Sequence, residues 1–169
     1  MPSQENKRRA AQPPVSVQVA FYNVELTVSQ LFGQDHEIHR KQLGKDCAKG
    51  FESHDLAVLC LCGFGPNKLN ENEAAHLGNS ANFGPAAATW LQQLISEFCE
   101  TPKDLQACVL GPYVIVLDTS ICCFHSLPRL TDPLFTQPDT DHTHRRAVHS
   151  VIQVRSHGAL IDVWVHHAT

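Results

Sequence analysis

At the end of the apolar run "AFYNVEL", residues 20–26, Asn23 is followed two positions later by Glu25. On an extended chain these two share one face, so an amide and a carboxylate would project together. That pairing suits one corner of a metal and phosphate site. It equally suits an ordinary strand that ends in polar residues. A second concentration lies in "DHTHRRAVH", with Asp141, His142, His144, Arg145, Arg146 and His149. If that segment is extended, His142 and His144 share a face, and His125, His166 or His167 could complete a zinc or copper site. The chain holds 11 histidines, most of them in polar stretches, and the plainer reading there is a solvated loop. Arg145 and Arg146 have the planar forks that clamp phosphate, and they serve as well as surface charges. Cys122 or Cys123 beside His125 has the makings of an activated thiol. The run "ICCFH" is apolar, however, and reads as a strand carrying core thiols. The glycines of "GFGPN" lack a following Lys-Ser/Thr, which excludes a P-loop.

The hydrophobic pattern sets out the elements that would hold these groups. "VSVQVAFY" at 15–22 alternates like a half-buried strand. Residues 34–54 place Ile38, Leu43, Cys47, Ala48 and Phe51 at helical spacing, interrupted by Gly44 and Gly50. "DLAVLCLCGFG" at 55–65 is continuously apolar, as expected of a strand buried on both faces. Residues 66–84 are rich in Asn, Gly and Glu and read as a long loop with room for one helical turn, carrying Glu71 and Glu73. A helix is predicted over 85–100, with Pro85 in its first turn and Trp90, Leu91, Leu94, Ile95 and Phe98 on its apolar side. "ACVLGPYVIVLDTS" and "ICCFHSLPRL" read as two strands with a turn around Asp118 to Ser120. A loop leads to a closing hairpin over 147–169 that turns near Ser156, His157 and Gly158 and runs to Thr169. The order strand, helix, strand, helix, then antiparallel strands predicts an α+β fold, with a mixed, mostly antiparallel sheet and two main helices.

With 169 residues there is room for one domain, assigned to 15–169, behind a disordered basic tail over 1–14. The final strand has no segment behind it, so the domain reads as incomplete at its carboxyl end. A hydrophobic fraction of 43% and a charged fraction of 18% describe a globular chain rather than a disordered one. The net charge of −4 gives no global footprint for nucleic acid, leaving only a local patch open. Seven cysteines, odd in number and without C-x-x-C spacing, read as buried thiols in a reducing compartment. With no secretory signal and no membrane-span-length run, the expected setting is intracellular, cytoplasmic or nuclear.

The strand end "FYNVE", the strand "HDLAVLCLCGFG" and the hairpin end "LIDVWVHHAT" together resemble the amino-terminal half of the endonuclease/exonuclease/phosphatase superfamily. The resemblance covers residues 15–169. It implies a layered α/β sandwich and metal-dependent phosphoester hydrolysis with Mg²⁺ or Mn²⁺. By that resemblance Asn23 would orient phosphate, Glu25 would hold the metal, and His166, with His167 as the less favoured choice, would stabilise phosphoryl charge. The family's Glu at the end of the second strand aligns with Gly63, which has no side-chain oxygen. The family's Asp-x-Asn and Ser-Asp-His motifs are absent from their places, and "TDH" at 140–142 precedes the hairpin rather than following it. The expected function is therefore that of a phosphoesterase scaffold with activity lost or much reduced, toward a phosphate ester if any. The alternatives are a non-catalytic binding protein and, more weakly, a histidine-based transition-metal binder. Oligomeric state is not legible.

Overall fold

In the computed structural model, residues 16–26, 37–53, 56–64, 80–110, 113–131 and 147–166 are described. The chain opens with β1 (Gln18–Leu26), crosses through helix α1 (Glu37–Ser53) and returns as β2 (Leu56–Phe64), parallel to β1. Helix α2 (Ser80–Phe98) follows, and then β3 (Leu105–Leu110) and β4 (Tyr113–Asp118) form an antiparallel pair. A second antiparallel group comprises β5 (Cys122–Leu130), β6 (Val148–Val154) and β7 (Leu160–Val165). The strands make two sheets, in the orders β1-β2-β4-β3 and β5-β6-β7. Among the described residues the fold is thus α+β, with two helices and mixed, mostly antiparallel sheets. Among the described residues no helix is long and apolar enough to cross a membrane.

The core is stacked in layers because β2 from Leu56 to Leu61 and β4 from Tyr113 to Leu117 are continuously apolar and must be covered on both sides. Leu59, Leu61, Val114 and Val116 face the helices, where Leu43, Phe51, Leu91 and Ile95 are buried against them. Val58, Cys60, Ile115 and Leu117 face the second sheet, where they join Cys122, Val148, Ile152 and Val163. The continuous apolar run of β2 therefore has the physical cause the sequence suggests. On α1 the buried stripe is Leu43, Gly44, Cys47, Ala48 and Phe51, which is the predicted face with Gly44 added. Ile38 falls outside it and is exposed.

Three local expectations need correcting. Helix α2 starts at Ser80, inside the stretch predicted as loop, so Pro85 sits in the helix interior rather than in its first turn. Within the helix the Thr89 hydroxyl donates to the Pro85 carbonyl at 3.1 Å. "ACVLGPYVIVLDTS" is two strands, β3 and β4, paired from Leu105–Asp118 to Leu110–Tyr113. Gly111 and Pro112 lie between them, and an unbroken apolar composition on either side hides the reversal. The last strand stops at Val165, so His166 follows β7 instead of lying within it. The hairpin turn at residues 155–157, with Gly158 at φ +73°, falls where it was predicted.

The ladder between β5 and β6 is irregular on both sides of Ser126. Two hydroxyls repair it: Ser150 donates to the Ser126 carbonyl at 2.8 Å, and the Val151 N–H donates to the Ser126 hydroxyl at 3.0 Å. This explains how Ser150 can be fully buried. The same irregularity accommodates Pro128 in a strand at the sheet edge.

Candidate functional site

Strand register determines which of the predicted site residues share an end of the molecule. Asn23 on β1 lies opposite Cys62 on the parallel β2, next to Gly63. β4 runs the other way, with Leu61 opposite Val114 and Val58 opposite Leu117, so Tyr113 is at the Asn23 end and Asp118 at the far end. The turn into β5 is closed by the Ile121 N–H donating to the Asp118 carbonyl at 3.1 Å. β5 therefore begins at the far end, where the Cys122 thiol also reaches the Ala57 carbonyl at 3.4 Å. It then runs back, and Leu130, Val148 and Val165 align across the second sheet. Val148 and Val165 share a core cluster with Tyr113. Asn23, Gly63 and His166 thus belong to one end of the sandwich, two on the first sheet and one just past the second.

Asn23 and His166 are both exposed there. Gly63 adopts φ +67°, a left-handed conformation that residues with a Cβ rarely take. Glu25 contributes its backbone to β1 where the register to β2 shifts, between Asn23 and Leu26. The Glu25 side chain lies outside the described residues. So do Glu71, Glu73, Asp141, His142, His144, Arg145, Arg146 and His167, and the tail over 1–14. A hard cation such as Mg²⁺ is held by carboxylates with water or phosphate oxygens. The described side chains at this end, an amide and an imidazole beside a glycine, do not make such a donor set. Among the described residues no group of three or more His, Cys, Asp or Glu could hold a metal ion.

The opposite end carries a polar cleft of about 380 Å³, lined by Thr101, Pro102, Lys103, Asp104, Asp118 and Ser120. The Asp118 carboxylate is buried and fully engaged. The Ser120 N–H donates to it at 2.9 Å, the Ser120 hydroxyl reaches the same oxygen, and Lys103 Nζ lies 3.4 Å from the other. Carboxylate, hydroxyl and ammonium satisfy one another here and hold the β4–β5 turn in shape. Cys122, beside it, is no nucleophile. Burial pushes its thiol up to about 11, and it donates to the carbonyls of Ala57 and Asp118.

Sequence spacing missed one cluster. His149 was grouped with the 141–146 segment, yet its described partners come from β7. His149 Nε2 meets Asp162 Oδ1 at 2.8 Å, and its ring stacks on Trp164 with centroids 4.3 Å apart. Arg129, His149 and Trp164 are register partners across all three strands. The signal was the alternation of β7, which puts Asp162 and Trp164 on one face; which residue of β6 they meet follows only from register.

No protein-family model and no curated protein matches this chain. Two solved structures are similar to it at low identity. One is a functionally unknown conserved protein from Enterococcus faecalis V583, with 12% identity and a TM-score of 0.44 over 88% of this chain and 52% of the other. The other is an endonuclease/exonuclease/phosphatase family protein from Leptotrichia buccalis C-1013-b, with 13% identity and a TM-score of 0.48 over 91% of this chain and 55% of the other. The chain spans about half the length of both. Likeness at this level speaks to no residue and to no activity.

Proposed function

We propose that this chain is a phosphoester-hydrolase-like domain that keeps the scaffold without a working metal site, and that it binds rather than turns over. The observation that carries this reading is Gly63: where the sequence resemblance calls for a metal carboxylate there is no side-chain oxygen, and the backbone is left-handed. The scaffold part of the reading rests on the parallel β1–α1–β2 unit and on the common end shared by Asn23, Gly63 and His166. The ligand class is a phosphate ester, met by the Asn23 amide and the His166 imidazole. Seven free cysteines fit a reducing, cytoplasmic or nuclear setting.

The test is hydrolysis of bis(4-nitrophenyl) phosphate with Mg²⁺ or Mn²⁺, by the full chain and by Asn23→Ala and His166→Ala. A working positioning or acid–base group contributes on the order of 100-fold or more. The expected rate is close to the buffer blank and unmoved by either substitution. A metal-dependent rate that falls about 100-fold in both variants would overturn the reading.

A further inference from the structure

We propose that two copies of this chain associate through β1, the two strands pairing antiparallel about Ala20. β1 is the edge of its sheet, and among the described residues no strand pairs with it on the far side. Among the described residues the second sheet makes its main contacts with the other strands: β7 packs on β2, and β5 packs on β3 and β4. On the inward face of β1, Val17 packs against the core between the sheets. Val19 and Phe21, the next residues on that face, are 36% and 62% exposed, and Tyr22 on the other face is 49% exposed.

Natural edge strands are blunted by lysine, proline, inward charge or a bulge. From residue 17 to residue 23 the strand reads "VQVAFYN", with no charge and no proline. Its ladder to β2 is regular from Val19 to Asn23, and the irregularities fall outside that stretch. An edge that no described strand takes up calls for an extended strand as occupant, and the side chains select which strand.

The sequence complements itself. A two-fold axis through Ala20 sets Val19 of each copy opposite Phe21 of the other, giving two aromatic to β-branched cross-strand pairs on the inward face. Ala20 meets Ala20, the smallest pair, at the axis. Gln18 meets Tyr22 at the flanks. An axis perpendicular to the sheet returns each face to itself, so the apolar faces stay aligned. The result is a continuous eight-stranded sheet, and each Phe21 ring now in water is covered by Val19 of the other copy. One strand pair with two ring contacts is a small interface, so the dissociation constant is expected on the order of micromolar.

Sedimentation velocity of the full chain in reducing buffer, over a concentration series spanning that range, tests the proposal. The expected result is a reversible monomer–dimer equilibrium that closes at the dimer. Phe21→Lys should raise the dissociation constant at least about tenfold while leaving the far-UV circular dichroism unchanged. Phe21→Thr, which keeps strand propensity, is the second variant should lysine disturb the fold. Because position 19 faces position 21 in this register, Val19→Lys/Phe21→Lys mixed with Val19→Glu/Phe21→Glu should restore a one-to-one dimer. A chain that stays monomeric throughout, a dimer indifferent to both Phe21 variants, or a mixture that fails to pair would each overturn the proposal.

Discussion

Cys47, Cys60 and Cys122 are enclosed by core side chains. Burial pushes the first two thiols up to about 12 and the third to about 11, from an ordinary 9.0. Below about pH 8 these groups are protonated in both the folded and the unfolded chain, and they add no pH dependence. Between about 9 and 12 the unfolded chain gives up thiol protons that the folded chain retains, so folding stability falls as pH rises. Urea denaturation should therefore show a lower midpoint at about pH 10.5 than at about pH 7.5, and Cys60→Val should reduce the difference. An alkaline loss of equal size in wild type and variant would count against the thiols as its cause. The reading of these residues as core thiols was open to sequence because Cys60 and Cys122 sit inside apolar runs and Cys47 falls on the apolar side of a helical pattern. The partners of His149 were not, because Asp162 and Trp164 reach it across a ladder whose register no local pattern encodes.

Among the elements, α1 shows how a weak helical signal becomes a packing device. Gly44 interrupts the helix in the sequence, yet in the fold it is buried against α2. A Cβ at that position would stand 2.6 Å from Phe98 Cδ2 and 2.9 Å from Leu94 Cγ. Helix propensity alone would favour alanine there by about 1 kcal/mol. The clash should reverse the sign, with Gly44→Ala destabilising by about 1–3 kcal/mol. Gly50 is the internal comparison, since a Cβ there meets the end of the Leu56 side chain at 3.2 Å, which can turn aside. Gly50→Ala should be neutral or mildly stabilising. Thermal melts of the two variants check the contrast, and equal shifts would refute the packing account. α1 was legible from the helical spacing of its apolar residues and β2 from its continuous apolar run. The start of α2 was not, because "GNSANFG" has loop composition. The β3–β4 reversal was hidden by apolar residues on both sides of Gly111 and Pro112.

For the molecule as a whole, burial is graded from the middle of the first sheet outward. β4 is buried at every position, and β2 from Leu56 to Leu61, whereas β1 and β7 each leave alternate or adjacent positions in water. Native-state hydrogen exchange should follow that gradient, with amides of β2 and β4 exchanging only through global unfolding and those of β1 and β7 through smaller openings. Uniform protection across all seven strands would contradict it. The sequence conveyed the order of elements and the α+β class, but the gathering of Asn23, Gly63 and His166 at one end depends on strand directions that emerge only from pairing. Gly63 also bears on what mutation can reach. A carboxylate at that position would have to adopt φ +67°, at a cost of about 1–2 kcal/mol, or wait for a prior change that returns the end of β2 to extended geometry. Single substitutions that add an acid there are therefore disfavoured before any benefit can be felt. The backbone acts as a ratchet: the geometry at the end of β2 would have to change first and the side chain at residue 63 second.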